Sequence, residues 1–413
     1  MPYKLINDIQ HSFTKSILKD ISGWIFTNFH HRDTLTDFLL KINPESVSTR
    51  RWIYIVRDCG NPIKILHKIE KEALSHLPGD EYFYSSQEEL LAILTSHCKE
   101  KTFAILKDKN IPVISTVDSG FIELLTDNEI KTVSAATLVQ LTKSILSKEQ
   151  IESQKQAGKI LYEIIFNTWE MIKYHYKNNL PLFEKEVQDY ILASFKKNQI
   201  ITDHPPIVAF GKNSGNPHYD VSDENNSQCK KGDVIQLDIW GKLSNVENSV
   251  YADISWVGIF DSEIPEKVEK CFNCLKAARD IVISSINKCD EEKYQKNFNI
   301  NEESKITGSF LDKKVRDILI KGGYQTGIKH RTGHSIDTEC HGTGVNLDSV
   351  EFPDNRLIME GCSFSVEPGL YFEDFGLRTE IDVTILENHA FIPGADAKTP
   401  VGINIPQNKI LTC

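Results

Sequence analysis

The sequence lacks any apolar run of the roughly 18 residues that a membrane-spanning helix needs. It also lacks a continuous apolar segment near its beginning, so we expect neither a secretory signal peptide nor a membrane partner. Basic residues are the minority, because 47 lysines and arginines stand against 58 acidic residues, a formal net charge of -11. This charge argues against a general nucleic-acid binder, which usually presents a basic face.

Several catalytic motifs are missing as well. The chain has no G-x-G-x-x-G segment, no phosphate-binding loop and no H-E-x-x-H zinc motif. Cys271 and Cys274 form a C-x-x-C pair, but no second pair follows at zinc-ribbon spacing, so we expect both to pack on a helix. Nine irregularly spaced cysteines predict reduced thiols and a cytoplasmic protein. Cys340 adjoins His341, yet neighbours on a strand rarely face each other, so no Cys–His nucleophile is predicted.

A length of 413 residues predicts two or three domains. The first part alternates short buried strands (52–56 and 102–106) with a helical segment (85–100) that Ser85 or Ser86 can cap. This alternation predicts a small α/β layer domain that ends at residue 147.

A second domain, 148–413, is predicted to be α+β, with a strand-rich sheet and helices on one side. Its first helix covers 147–178, and strand-like segments appear after residue 205. The other predicted elements are helices at 183–197, 263–287 and 309–322, and a polar exposed loop at 289–306.

Acidic residues occur within apolar strand-like segments of this second domain. Asp238 lies in VIQLDIW, Asp253 in VYADISW, Glu367 in SFSVEPG and Glu380 in LRTEIDV. An isolated buried carboxylate costs several kcal/mol or takes up a proton, so four of them call for compensation by cations. His334 adds an imidazole, and an oxygen-rich set with one histidine suits manganese, iron, cobalt or zinc. The pattern therefore indicates a site for two divalent ions.

Each of these residues also has an ordinary structural interpretation. Side chains alternate along a strand, so any one of the four acids can lie on the solvent-facing side. His334 taken alone is more often a packed or capping histidine than a ligand. The residues by themselves leave the metal site and these alternatives open.

Six segments, in order, resemble the creatinase/methionine-aminopeptidase ("pita-bread") metallopeptidases, and the whole chain resembles their Xaa-Pro aminopeptidase/prolidase branch. They are PIVAFGKNSGNPHY, GDVIQLDIW, VYADISW, TGHSIDTECHG, VEPGLYF and GLRTEID, within 206–382. The resemblance implies an α+β pita-bread catalytic domain behind a smaller α/β creatinase-like N-terminal domain.

The resemblance also implies a role for each matched residue. The metal ligands would be Asp238, Asp253, His334, Glu367 and Glu380, with Glu367 also the general base. His218 and His341 would contact substrate and stabilise the reacting carbonyl, and Tyr371 and Arg378 would line the site. As alternatives, both histidines can be structural, Arg378 can serve only to neutralise Glu380, and Tyr371 can belong to the core.

Three features depart from the family pattern. Asp238 and Asp253 lie 15 positions apart, farther than is common, which predicts a longer hairpin tip at 242–249. Trp240 replaces a small residue and is expected to narrow the pocket. Asp337 and Gly342 stand where a glycine and an acid are common, which leaves substrate choice open.

The implied function is hydrolysis of short peptides by an Xaa-Pro aminopeptidase or Xaa-Pro dipeptidase. The implied cofactors are two divalent ions, manganese first, with cobalt, zinc or iron as alternatives, and the implied assembly is a homodimer. Two other functions stay open: a creatinase-type amidinohydrolase acting on non-peptides, and an inactive member that binds peptides or proteins. The complete set of ligand types favours the metallopeptidase.

Overall fold

The structure is a computed structural model that describes residues 2–15, 21–287, 306–395 and 409–413. Except for Ile306, the polar loop predicted at 289–306 lies outside these described residues. The chain divides into two compact units, Met1–Lys143 and Ser144–Cys413. The domain boundary predicted at residue 147 stays a prediction.

The first unit is an α/β layer structure built on one six-stranded sheet. The order of its strands is β4-β3-β2-β1-β5-β6, with β1–β2 and β2–β3 antiparallel and the other pairs parallel. The strands are β1 Gly23–Asn28, β2 Trp52–Arg57, β3 Ile63–His67, β4 Asp80–Tyr84, β5 Thr102–Ile105 and β6 Lys131–Ser134. The helices are α1 Pro2–Lys15, α2 Thr34–Leu40, α3 Gln87–Cys98, α4 Ser119–Asp127 and α5 Ala136–Val139.

Both faces of this sheet are covered, because its central strands are apolar at successive positions. Trp24 and Phe26 of β1 join the core on one face, and Ile25 joins the core on the other. The predicted helix α3 begins after Ser86, whose hydroxyl accepts a hydrogen bond from the backbone N–H of Glu89. The strands predicted at 52–56 and 102–106 are β2 and β5.

The second unit packs helices against a five-stranded sheet and two smaller sheets. Its helices are α6 Lys148–Lys177, α7 Glu184–Lys197, α8 Glu266–Asn287 and α9 Gly308–Lys321. The strands are β7 Ile200–Ile201, β8 Ile207–Phe210, β9 Val234–Leu243, β10 Ala252–Ile259, β11 Ser363–Val366, β12 Gly369–Tyr371, β13 Gly376–Arg378, β14 Ile381–Leu386, β15 His389–Phe391 and β16 Leu411–Thr412. One sheet contains β16-β10-β9-β7 with β8 beside β9, and the smaller sheets are β11-β14-β15 and β12-β13.

Helix α6 supports the strands that carry the first two acids. It begins with a reciprocal cap, in which Ser147 bonds the N–H of Gln150 and the Gln150 side chain bonds the N–H of Ser147. Its apolar stripe, which includes Ile165 and Trp169, belongs to the same core cluster as Ile239 of β9. The acids on these strands therefore stand on a packed sheet rather than on a free loop.

The hairpin formed by β9 and β10 fixes the register of both aspartates. Asp238 lies opposite Ser255, and Asp253 lies opposite Trp240. Strand β9 continues through Leu243, where it also pairs with β7. The hairpin tip, predicted to begin at residue 242, therefore begins two residues later in the structure. The additional length therefore extends the sheet as well as the turn.

Candidate active site

Asp238 and Asp253 project from the same face of the β9–β10 hairpin. Residues directly opposite each other share a face, and so do residues two apart on one strand. Because Ser255 is opposite Asp238 and two positions from Asp253, the register brings both carboxylates to one side. Both side chains are buried, at 6% and 5% relative exposure. The alternative of a solvent-facing acid is therefore wrong for this pair.

Glu367 and Glu380 lie at breaks between strands rather than within them. Glu367 follows the end of β11, and Glu380 occupies the gap between β13 and β14. The sequence pattern placed both inside strands, because the flanking residues are apolar on either side. The break frees the Glu380 side chain to reach the hairpin, where its Oε2 accepts a hydrogen bond of 2.7 Å from Ser255.

His334 lies on an extended segment that runs beside β11. Its backbone N–H donates to the hydroxyl of Ser365, and its carbonyl accepts from the N–H of Ser365. The ring Nδ1 lies 3.2 Å from the Ser335 carbonyl, an arrangement that places the proton on Nδ1 and leaves Nε2 as the donor atom for a cation. Nε2 lies 3.6 Å from Asp253 Oδ2 and 3.6 Å from Glu367 Oε1.

The five predicted ligands therefore converge. Ligand atoms of Asp238, Asp253 and Glu380 lie within 4.8 Å of one another, and so do those of His334, Glu367 and Glu380. Asp253 Oδ1 is buried and accepts no hydrogen bond from the described part of the chain. A buried carboxylate oxygen without a donor is costly, and a divalent cation satisfies it. The donor set thus fits hard or borderline divalent ions, as its oxygen-rich chemistry requires.

The electrostatics of the site show what the acids do without a cation. Burial raises the pKa of Asp238 to about 6, against the opposing charge of Arg378 and with support from Asp253. Burial, followed by the charges of Asp253 and Glu367, raises the pKa of Glu380 well above its usual range. Carboxylates held in this way either bind protons or bind metal, and a metal restores their charge.

Glu367 behaves differently from the other acids. Burial opposes its ionised form, but the nearby charges of His334, His330 and Arg378 outweigh burial and lower the pKa of Glu367. Glu367 is therefore a carboxylate in its resting form. Its Oε1 accepts a hydrogen bond of 3.3 Å from Ser365.

Arg378 is the buried cation of the site. Its Nη2 forms an ion pair with Asp238 Oδ2, and its Nε donates to the Ser255 hydroxyl over 3.0 Å. Asp238 also raises the pKa of Arg378 well above its usual range, overcoming the opposing effect of burial. The ion-pair partner of its guanidinium among the described residues is Asp238 rather than Glu380, and the role of Arg378 stays a prediction.

Tyr371 and His330 form a second polar contact beside the acids. His330 Nε2 lies 2.8 Å from the Tyr371 hydroxyl, and Nδ1 lies 2.7 Å from the Arg331 carbonyl, so Nδ1 carries the proton and the hydroxyl donates to Nε2. Arg378 Nη1 in turn donates to the hydroxyl over 3.4 Å. Tyr371 is thus buried with its hydroxyl hydrogen-bonded, and its role in the site stays a prediction.

The sequence analysis missed His330. It lies four positions before His334 on an extended segment, where even spacing places side chains on one face. Burial lowers the pKa of His330, and the charge of Arg378 adds to that effect against the opposing charge of Glu367. The H-x-x-x-H spacing was the available signal.

The two other predicted histidines are more exposed than the ligands. The His341 ring lies against the His334 ring, with centroids 4.1 Å apart, and His334 is the main cause that lowers the pKa of His341 to about 4. His218 is exposed in the segment that follows the 3₁₀ turn Gly211–Gly215, and its backbone N–H donates to Asn216 Oδ1. Their roles stay predictions.

Cys340 is the second residue whose place the sequence analysis did not anticipate. Its side chain is 3% exposed, and its thiol donates to Asp253 Oδ2 over 3.2 Å. Burial, with the charge of Asp253, raises the pKa of this thiol well above its usual range. The absence of a Cys–His nucleophile stays a prediction, but Cys340 contacts the acids themselves.

The sequence model of metallopeptidase family M24 matches residues 152–387. The chain belongs to metallopeptidase family M24. The matched stretch contains all five predicted ligands and the residues around them. No helix in the described ranges is both long and apolar enough to cross a membrane.

Curated M24 relatives match this chain at low identity. The Xaa-Pro dipeptidase of Pyrococcus furiosus is 25% identical over 334 residues, which cover 77% of this chain and 83% of that protein. The Xaa-Pro dipeptidase of Lactobacillus delbrueckii subsp. lactis is 26% identical over 199 residues, 48% of this chain and 46% of that protein. For the relatives from Mycoplasma pneumoniae and Mycoplasma genitalium, the chain spans less than half of their length, 45% and 41%.

Solved structures share the fold of this M24 chain along almost its whole length. Dipeptidase PepE from Mycobacterium ulcerans has a TM-score of 0.69 at 16% identity, covering 100% of this chain and 97% of that one. Prolidase from Thermococcus sibiricus has a TM-score of 0.60 at 21% identity, covering 99% and 98%. The predicted fold class, α+β with a pita-bread catalytic domain and a smaller α/β N-terminal domain, is confirmed.

Proposed function

We propose that this M24 chain is a metal-dependent hydrolase of short peptides, an Xaa-Pro aminopeptidase or Xaa-Pro dipeptidase. One observation carries the proposal: four carboxylates and His334 converge in a buried group, in which Arg378 pairs with Asp238. The name Xaa-Pro dipeptidase belongs to relatives that are about a quarter identical. These names support the choice of substrate class, which is proposed here from the site together with the family.

Two divalent ions would be held by Asp238, Asp253, His334, Glu367 and Glu380, with manganese as the first candidate and cobalt, zinc or iron as the others. When bound, the ions supply Lewis acidity toward the scissile carbonyl and lower the pKa of the attacking water. Ser255 orients the pair of acids, because its hydroxyl lies 2.8 Å from Asp238 Oδ1 and 2.7 Å from Glu380 Oε2.

Glu367 is proposed as the general base. Its lowered pKa makes it a carboxylate ready to accept the proton of the attacking water at Oε1 or Oε2, and to release it to the departing nitrogen. Arg378 keeps Asp238 in position and ionised. The Tyr371 hydroxyl, held by His330 and Arg378, is directed toward the same group of side chains.

His218 and His341 are proposed to contact the peptide. Both residues are exposed, and the His341 ring lies against the ring of His334. The lowered pKa of His341 keeps its ring neutral at neutral pH, so it acts as a hydrogen-bond donor or acceptor to substrate rather than as a charge.

The direct test begins with protein stripped of metal by a chelator and reloaded with manganese, cobalt or zinc. We expect uptake of two ions and hydrolysis of Xaa-Pro dipeptides or tripeptides. Glu367→Gln is expected to lower kcat by about 100-fold or more, since it removes the base. Glu373→Gln changes a nearby exposed glutamate in the same way and is expected to leave activity unchanged.

Measuring bound metal tests the proposed ligands separately from catalytic activity. Asp253→Asn keeps the volume of the side chain but removes the charge of one of the clustered ligands, so bound metal is expected to fall. Wild-type protein that takes up no divalent ion would contradict the proposal, and so would full activity in Glu367→Gln.

Assembly and location complete the proposal. We expect a homodimer, on family resemblance, and a cytoplasmic protein, on the irregularly spaced cysteines. Sedimentation velocity on the full chain tests the first point. We also retain residue 147 as the proposed end of the N-terminal domain.

A further inference from the structure

Cys340 lies inside the group of predicted ligands rather than beside it. Its sulfur, a carboxylate oxygen of Asp253 and a ring nitrogen of His334 all lie within 4.8 Å of one another. All three side chains are at least nine-tenths buried, with relative exposures of 3%, 5% and 4%. Asp253 lies on strand β10, whereas His334 and Cys340 both lie in the 332–343 stretch. The fold therefore brings Asp253 to the other two residues.

The separations within this group match those of atoms that share one ion. Two ligand atoms at about 2.0–2.3 Å from a tetrahedral ion lie roughly 3.3–3.8 Å apart. His334 Nε2 is 3.6 Å from Asp253 Oδ2, and Cys340 Sγ is 3.2 Å from the same oxygen. These distances agree with the expected range to within a few tenths of an ångström.

A second observation also points to an ion. Asp253 Oδ1 is buried and has no hydrogen-bond donor within the described ranges, while Oδ2 faces both the thiol and the imidazole. A cation compensates a buried carboxylate that has one oxygen left unsatisfied. The thiol is a weak donor and does not supply that charge.

We propose that Cys340 is a sulfur ligand to the ion held by Asp253 and His334, so that this position prefers a thiophilic ion such as zinc, cobalt or iron over manganese. The inference rests on the proposed metal centre and deepens it by naming a sixth ligand and the ion class. Thiolate ligands select softer ions, whereas the neighbouring group of Asp238, Asp253 and Glu380 offers oxygen alone, which suits manganese.

Binding of the ion by Cys340 involves only the protein, the ion and the solvent. As the ion enters, the S–H bond of Cys340 breaks, the sulfur electron pair forms the bond to the ion, and the proton leaves to solvent. The hydrogen bond from the thiol to Asp253 Oδ2 is lost in the same step, which frees that oxygen for the ion. No oxidant or reductant takes part.

The test uses the full-length protein loaded with cobalt or zinc alone. Cobalt protein is expected to show a near-ultraviolet sulfur-to-metal charge-transfer band, and X-ray absorption of zinc protein should show a sulfur neighbour at about 2.3 Å. Cys340→Ser and Cys340→Val are expected to lose both signals. Cys229→Ser alters another buried cysteine of the same unit and is expected to keep them.

Metal preference gives a second readout. Cys340→Ser is expected to reduce the preference for zinc over manganese, measured by competition at equilibrium, by about 10-fold or more. An unchanged preference contradicts the inference. So does a wild-type protein that binds two ions with no sulfur neighbour, in which case Cys340 only donates a hydrogen bond to Asp253.

The outcomes also separate this inference from the proposed function. Wild-type protein that binds no ion overturns both. Wild-type protein that binds ions and hydrolyses peptides, but shows only nitrogen and oxygen neighbours, overturns the inference and leaves the function standing. Since the wild-type spectrum decides by itself, a failure of either variant to fold does not remove the test.

Discussion

The carboxylate of Glu184 accepts a hydrogen bond of 2.8 Å from the hydroxyl of Tyr219, the residue that follows His218 in the chain. Glu184 is fully buried at the start of α7. It also accepts bonds from the N–H of Phe210, the amide of Asn213 and the N–H of Ser227. The Glu184 side chain thus accepts hydrogen bonds from residues that precede and follow His218 in the chain.

Glu184→Gln is therefore expected to destabilise the second unit. A glutamine cannot accept four hydrogen bonds, and its amide adds donors where donors already point, so the free energy of unfolding should fall by about 1–3 kcal/mol. Denaturant unfolding measures this change. Glu163→Gln, an exposed position on α6, is the matched control and should be neutral. Equal stability of the two variants would show that the Glu184 network contributes little.

Arg378→Lys is expected to weaken metal binding. Lysine is a single point charge and cannot contact Asp238, Ser255 and the Tyr371 hydroxyl together, as the guanidinium does. Loss of such a supporting contact typically reduces metal affinity by about 10–100-fold. Isothermal titration with manganese measures the effect.

The control for this prediction is Arg51→Lys. Arg51 pairs with Asp118 in the first unit, and neither residue is among the predicted site residues. We expect Arg51→Lys to leave metal affinity unchanged. Equal metal affinity in Arg378→Lys and wild type would remove the positioning role of Arg378.

Gly333→Ala is expected to disturb the position of His334. An added Cβ would lie 1.9 Å from the Ser365 carbonyl oxygen, which is backbone of β11 and cannot move away cheaply. The strain should cost about 1–3 kcal/mol and should reduce metal uptake, because His334 is the next residue. At Gly120 the nearest atom to a Cβ is 3.6 Å away, so Gly120→Ala should be tolerated. Thermal unfolding and metal analysis of the two variants test the difference.

His31 is expected to make the stability of the first unit depend on pH. The Ser46 carbonyl and Asp37, which lie 2.8 and 2.6 Å from its ring nitrogens, raise the pKa of His31 above 6.5 against partial burial. A raised folded-state pKa gives stabilisation that is complete below the unfolded pKa and is lost as pH rises through the folded pKa.

The measurement compares wild type with His31→Asn, because asparagine tolerates the positive φ of this position. Relative to wild type, the variant should lose more stability at about pH 5.5 than at about pH 8.5. The two losses should differ by about 0.5–1 kcal/mol, as expected for a partly exposed ion pair. A difference that does not change between the two pH values would contradict the prediction.

Site residues were predictable from the sequence where a charged residue lies within an apolar, strand-like segment. Asp238 and Asp253 are acids in apolar strands, and such residues stand out in the sequence because burial of a charge is costly. Glu367 and Glu380 stood out for the same reason, although both lie at strand breaks. At both breaks the chain passes from one sheet to another, between β11 and β12 and between β13 and β14, and apolar periodicity does not report such a change.

His330 and Cys340 could not be placed in the same way. A histidine in an extended segment and a buried cysteine are ordinary residues until their partners are known. The Tyr371 hydroxyl lies 41 positions from His330 along the chain, and Asp253 lies 87 positions from Cys340. No local pattern records such contacts.

The sequence by itself indicated the two-unit organisation, most of the helices and strands and the four acids in apolar surroundings, because periodicity, capping residues and misplaced charges are local properties. The family and the set of five candidate ligands followed from the resemblance of its motifs. The tertiary structure alone decided that Arg378 pairs with Asp238, that Glu184 fastens the segment around His218, and that Cys340 faces Asp253. Those relationships depend on how distant strands and loops approach one another, and side-chain direction in a packed core is fixed only when all its neighbours are in place.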